Sequence, residues 1–272
     1  MIPASFTYKR ASSADEALEL IASNGEDAKF LAGGHSLLPL MKLRLAVPQV
    51  LVDISRLREA SYIRDEGGYL AIGALTRHHD LEHSELLARE LPLLAYAAGQ
   101  VGDPQVRHRG TIGGSLAHAD PQADLPAVVL ALDGTLVARG PSGEREISAA
   151  GFFRGLFETA LAPDELLTEV RIPKPQAAGW SFQKFTKRAI DWAIVGVAVQ
   201  GDNVALVSMG QTPLRAGAVE SALASGASPE EAATHAAEGT SPTDDINADR
   251  AYREHLARVL VKRALAESRS RG

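Results

Sequence analysis

Residues 30–36, Phe30-Leu31-Ala32-Gly33-Gly34-His35-Ser36, and residues 111–115, Thr111-Ile112-Gly113-Gly114-Ser115, decide how this chain is read. The first pair follows the short apolar run Phe30-Leu31-Ala32 and the second follows Thr111-Ile112, so each reads as a turn. Glycine has no Cβ to hold an anion at a distance, and it reaches the positive φ values that turn successive N–H groups toward one concavity. Ser36, Thr111 and Ser115 add hydroxyl donors. One such pair alone more often punctuates a tight turn than holds a ligand. Two pairs with matching flanks favour a diphosphate gripped between two loops. The G-x-G-x-x-G fingerprint of the common dinucleotide fold occurs nowhere in the sequence.

Around the first pair, residues 29–31 read as a strand, 37–45 as a helix that tolerates Pro39 in its first turn, and 50–54 as a second strand. A phosphate at Gly33 and Gly34 then faces a helix start, where free N–H groups and the macrodipole favour negative charge. Upstream, Ser13-Ala14-Asp15-Glu16 reads as a capping box, and the helix it opens ends at Asn24-Gly25. Residues 1–54 therefore form a small α/β lobe. A second lobe, 55–175, carries strands at 69–72, 135–138 and 166–172, helices at 86–101 and 121–132, and the segment 105–109 leading into the second glycine pair. Pro173-Lys174-Pro175 closes it. A third lobe, 176–272, carries strands at 181–186, 193–200 and 204–209, with Gly201-Asp202-Asn203 as a hairpin turn. Helices near 214–225, 229–238 and 247–268 follow, the last with Tyr252, Leu256, Val259, Leu260 and Ala264 on one face.

The 272 residues suit two or three packed lobes, and 45% hydrophobic with 23% charged residues is ordinary for a globular chain. A net charge of −6 speaks against nucleic acid as a partner, since such binders carry a basic stripe. No apolar run approaches the roughly 20 residues that span a bilayer, and the first residues lack the order of a signal peptide. The expected location is cytoplasmic, with membrane association only through a complex. With no cysteine, the chain ligates no iron–sulfur cluster through thiolates, so any such cluster sits on another chain.

Residues 30–54 (FLAGGHSLLPLMKLRLAVPQVLVDI), 107–126 (RHRGTIGGSLAHADPQADLP) and 251–265 (AYREHLARVLVKRAL) closely resemble the FAD-binding medium subunit of molybdenum-containing hydroxylases, a group including carbon monoxide dehydrogenase and xanthine dehydrogenase. The likeness runs essentially end to end. It implies an α+β fold, with a two-lobed FAD-binding domain of the vanillyl-alcohol-oxidase-like type followed by a C-terminal domain of antiparallel sheet and helices. It implies FAD held by Ala32, Gly33, Gly34, His35, Ser36 and Leu37 and by Thr111, Ile112, Gly113, Gly114 and Ser115. Ser115 departs from the family's frequent Gly-Gly-Asn ending, and a hydroxyl cannot bridge two groups as an amide does.

By the same resemblance, Asp124 binds the ribose of the adenosine half and the Val101 backbone touches the adenine side. Leu166 or Leu167 contacts the isoalloxazine through backbone groups, and Lys184 approaches its pyrimidine edge. Trp192, in Asp191-Trp192-Ala193, lies against one face of the ring. Read on residues alone, Asp124 is a helix N-terminal charge, Lys184 a snorkelling surface lysine and Trp192 a core residue. Arg107-His108-Arg109 reads either as surface charge or as positive potential beside a diphosphate. His118 and Asp120 line the cofactor or stabilise a loop. His78, His79 and His83 contain the four-residue separation of a zinc pair, but no third ligand follows at an expected spacing, so they read as a solvated polar helix start.

The function implied is an oxidoreductase subunit with no catalytic side chain or metal ligand of its own, carrying electrons through FAD to an external acceptor. A large subunit with the molybdenum–pterin cofactor and a small subunit with [2Fe–2S] clusters complete it, as a dimer of heterotrimers. Two other readings remain: a self-sufficient flavin oxidase or reductase of the same fold superfamily, and a non-catalytic nucleotide-binding module.

Overall fold

Three larger sheets follow one another along the chain, with a two-stranded hairpin, Phe153–Gly155 and Glu158–Thr159, beside the second, in a computed structural model that describes residues 2–176 and 179–272. Met1, in the expected first lobe, and Ala177 and Ala178, in the expected third, lie outside the described residues. The first sheet is parallel, with Val50–Asp53 between Thr7–Arg10 and Ala28–Leu31. Val50, Leu51 and Val52 are all buried, as a central parallel strand requires. Helix Ala14–Asn24 covers it through Ala17 and Ile21 and stops at Gly25, whose φ of +55° few other residues adopt. The expected capping box is only half formed. Ser13 Oγ accepts the Glu16 N–H at 3.1 Å, but the Glu16 carboxylate reaches one residue further back, to the Ser12 N–H at 2.7 Å. The helix expected over 37–45 ends at Leu43, because Arg44 turns into the left-handed region.

The second sheet is antiparallel, in the order Ile63–Asp65, Tyr69–Gly73, Leu166–Pro173, Thr135–Gly140, Gly143–Ser148. Its last strand escaped the sequence reading because Glu144, Arg145 and Glu146 face solvent on an edge and show no apolar alternation. The helix expected over 86–101 is two helices, Glu85–Glu90 and Pro92–Gly99. Pro92 has no N–H to continue the first and opens the second at its N1 position. The helix expected from 121 starts at Asp124 and is buried along its whole length to Ala131. It lies between the second and third sheets and shares one core with Leu70, Ile72, Val170 and Ala198.

The third sheet runs Trp180–Phe185, Val195–Gln200, Asn203–Val207, Leu214–Arg215. Gln200 pairs with Asn203, so the hairpin loop is two residues, Gly201-Asp202, with Asn203 already in the strand. Helices Gly217–Ala224, Pro229–Ala233 and Arg250–Arg271 follow, the second shorter than expected and opened by a full Ser228/Glu231 capping box. The buried stripe of the last helix is Arg253, Leu256, Ala257, Leu260, Val261, Ala264 and Leu265. Tyr252 lies off that stripe, exposed, and Val259 is only half-buried, which corrects the expected face. Arg253 replaces them because its buried guanidinium donates to the Ile194 carbonyl and pairs with Asp245 at 2.6 Å. No helix among the described residues is long and apolar enough to cross a membrane.

Candidate functional site

The two glycine segments meet. A Cβ on Gly33 would stand 2.3 Å from the Arg109 carbonyl oxygen and 2.9 Å from Gly110 Cα, so only glycine lets the first turn lie against the chain entering the second. A Cβ on Gly114 would stand 2.8 Å from Thr111 Oγ1 and 4.0 Å from Ala32 Cβ. Gly34 sits at φ +77°, turning the chain into helix Leu37–Leu43. Among the described residues no protein acceptor meets the N–H groups of Gly33, Gly34, His35 or Ser36. The Ser36 hydroxyl makes no cap bond either. The first segment therefore presents four free donors at a helix start.

The second segment is not a loop, contrary to expectation. Ile112–His118 is a helix capped by Thr111, whose Oγ1 accepts the Gly114 N–H at 3.1 Å. Ile112, Gly113 and Ser115 donate to the carbonyls of Thr76, Ala74 and Thr111. Gly113 serves packing, since its Cβ would lie 2.5 Å from Ala74 Cβ. What this segment offers an anion is lack of bulk and the Ser115 hydroxyl, with its backbone donors engaged internally.

Asp124 and Lys184 are brought together at the seam between the second and third sheets. Lys184 Nζ donates to Asp124 Oδ2 at 2.7 Å and to the Gln100 carbonyl at 2.9 Å. The lysine is buried, which removes the surface reading. Burial raises the Asp124 carboxyl and the Lys184 charge pulls it back, leaving it at about 6. Asp124 Oδ1 is buried without a partner. The resemblance assigned these two side chains to opposite ends of the cofactor. With 2.7 Å between Nζ and Oδ2, the two side chains stand at one place in the fold.

Val101 adjoins this pair, but its N–H donates to the Ala98 carbonyl and its own carbonyl accepts from Arg107 Nη1 at 3.2 Å. Leu166 packs into the core under the first sheet and Leu167 into that under the second, just before a bulge at Thr168. Trp192 is 57% exposed, which removes the core reading and leaves its ring accessible. The basic knot divides. Arg107 is half-buried and paired with Glu82 at 2.8 Å, His108 stacks on His79 with centroids 4.1 Å apart, and Arg109 supplies the backbone under Gly33. Asp120 stabilises its loop by accepting the Gln122 N–H at 2.9 Å, and His118 stacks on Phe157 at 5.1 Å.

His78 is a correction. Rather than opening a solvated helix, it is 4% exposed and lies under Gly110, with burial, His35 and Arg107 pushing its pKa down to about 4. The sequence reading also missed a cavity of about 560 Å³ lined by Arg56, Arg58, Arg77, His79 and His108. Arg56-Leu57-Arg58 was its only local sign, and nothing in sequence tied that tripeptide to the histidines 20 to 50 residues on.

Residues 4–175 match the FAD-binding domain of molybdopterin dehydrogenases, and residues 180–268 match the C-terminal domain of the CO dehydrogenase flavoprotein. The carbon monoxide dehydrogenase medium chain of Hydrogenophaga pseudoflava is 43% identical over 97% of each chain. Caffeine dehydrogenase subunit beta of Pseudomonas sp. (strain CBB1) is 34% identical over 100% of this chain and 97% of its own. Among solved structures, a carbon monoxide dehydrogenase from H. pseudoflava lacking the Mo-pyranopterin moiety superposes with a TM-score of 0.96 at 42% identity, covering 100% and 99% of the two chains. Quinoline 2-oxidoreductase from Pseudomonas putida 86 gives 0.92 at 31% identity, covering 99% of both. The chain belongs to the family of FAD-binding medium subunits of molybdenum hydroxylases, which are oxidoreductases, and its fold is the α+β fold of that family. The residues fit the cofactor: the four free N–H groups of Gly33 to Ser36 stand together at a helix start, and the buried Asp124 Oδ1 has no protein partner.

Proposed function

We propose that this chain carries FAD between a cluster-bearing partner and an external electron acceptor, within a complex whose large subunit holds the molybdenum–pterin centre. The observation that supports this most is the crossing of Gly33 over the Arg109–Gly110 backbone with four unpaired N–H groups beside it. FAD supplies the redox chemistry when bound, taking electrons singly and releasing them in pairs. The chain's own work is placement. Gly33, Gly34, His35 and Ser36 donate to the diphosphate, Ser36 and Ser115 add hydroxyls, and Asp124 Oδ1 accepts from a sugar or ribityl hydroxyl. Lys184, held on Asp124 and the Gln100 carbonyl, keeps a positive charge at that same place. Exposed Trp192 covers the ring, and the Leu166–Leu167 backbone borders it. The expected partners are a molybdenum-bearing large subunit and a [2Fe–2S] small subunit, paired as a dimer of heterotrimers. Co-purification from the source cell tests the reading: a complex with near-stoichiometric flavin, iron and molybdenum is expected. A partner-free flavoprotein turning over substrate without either metal would overturn it in favour of a self-sufficient oxidase.

A further inference from the structure

His79 and His83 stand four apart at helix His78–Glu82, with Glu82 between them. One ligand atom from each of His79, Glu82 and His83 lies within 4.8 Å of the others. We infer that these three side chains form a binding site for a divalent transition-metal cation of the zinc type, beside the arginine-lined cavity. The sequence reading set the histidine pair aside for want of a third ligand, and Glu82 is that ligand.

The donor set selects the ion. Two imidazoles and one carboxylate suit Zn²⁺ in a tetrahedral site with its fourth position open to water, whereas Ca²⁺ and Mg²⁺ require a shell of oxygens that is not assembled here. Ligand atoms around tetrahedral zinc stand about 3.3 Å apart, as bonds of about 2.0–2.1 Å dictate. From 4.8 Å, rotation of the exposed His83 ring and its neighbours by about 1–2 Å closes the trio.

The surroundings bear on two of the three ligands. His83 Nδ1 lies 3.8 Å from Glu82 Oε2 and 2.9 Å from the His79 carbonyl, so the exposed His83 ring gives up its bond to that carbonyl when it turns a nitrogen to the cation. Arg107 Nε lies 2.8 Å from Glu82 Oε2 and pairs with the carboxylate by charge, without hydrogen-bond geometry. The His79 ring lies between His83, at 4.2 Å, and His108, at 4.1 Å, so His108 is the nearest further imidazole for the open position. Arg77 and Arg107 oppose a cation, and Glu82 and Asp80 offset them. A cation held here ties residues 79–83 to the segment whose Arg109 carbonyl packs on Gly33, yet the site is independent of the flavin reading.

The flavin-loaded full-length chain, stripped with chelator, is titrated with Zn²⁺ against a chromophoric zinc indicator. One Zn²⁺ per chain is expected. His83→Ala and His79→Ala should each weaken it by about 100-fold or more, and Arg107→Gln by about 10-fold. Circular dichroism checks that each variant is folded, and Co²⁺ in place of Zn²⁺ should give visible absorption of four-coordinate strength in the wild type only. Mg²⁺ should not compete. Absence of stoichiometric Zn²⁺ binding, or affinity unchanged in folded His83→Ala, overturns the assignment.

Discussion

Lys184 Nζ lies 2.7 Å from Asp124 Oδ2, joining the first strand of the third sheet to the buried helix beneath it. Both side chains are under 10% exposed, so removing one leaves the other charged in a site water hardly reaches. Asp124→Ala is expected to cost about 3–5 kcal/mol of unfolding free energy by urea titration, as broken buried pairs do. The double variant Asp124→Leu/Lys184→Met should recover most of that loss while still failing to retain FAD. If the two single effects instead add in the double variant, the pair is not coupled and its place at the cofactor loses support.

Gly33 and Gly68 provide a matched contrast. Gly33→Ala drives a Cβ onto the Arg109 carbonyl, which as backbone cannot swing aside, whereas a Cβ on Gly68 meets nothing within 4 Å. A loss of about 1–3 kcal/mol and a reduced flavin-to-protein ratio are expected for Gly33→Ala. Gly68→Ala should stay within about 0.5 kcal/mol of wild type. Full flavin occupancy in Gly33→Ala would detach the first glycine segment from the cofactor.

His78 sets an acid limit on stability. Its folded pKa is about 4 against an ordinary 6.5, mainly because burial excludes the charged ring. Above pH 6.5 both folded and unfolded states hold it neutral and its contribution is complete. As pH falls from 6.5 toward 4 the unfolded chain takes up the proton first, and about 3 kcal/mol is progressively lost. Thermal unfolding from pH 7.5 to 4.5 should show a decline that is shallower in His78→Gln. Parallel curves for the two proteins would mean that His78 is not what titrates.

The fold class was legible through the resemblance, while local signals, namely glycine and proline punctuation, the apolar strand 50–53 and the long C-terminal helix, marked individual elements. Helix Ile112–His118 was not legible, because two glycines argue against a helix. The tertiary contacts of Gly113 with Ala74, together with the Thr111 cap, override that propensity. The break at Pro92 has a local signal, the proline itself, set within a run of alanine and leucine that favours one continuous helix. For the candidate site, the residues were named through the resemblance, and their pairings were not legible at all. No local pattern shows that Gly33 lies on Arg109, that Lys184 pairs with Asp124, or that His78 is buried while His79, one residue on, lines a cavity. Those facts are set by how the sheets pack.

Trp192 separates cofactor contact from packing in one substitution. A tryptophan in a core costs about 3–5 kcal/mol when cut to alanine, but this one is 57% exposed and flanked by exposed Ile190 at 59%. Trp192→Ala should therefore change unfolding free energy by less than about 1 kcal/mol. If the indole covers the isoalloxazine, the same variant should keep its FAD, shift the visible flavin spectrum and raise flavin fluorescence, because an electron-rich ring in contact quenches it. Trp192→Phe should fall between wild type and alanine. A folded Trp192→Ala protein with spectrum and fluorescence identical to wild type would place the ring elsewhere and leave Trp192 free for a partner surface.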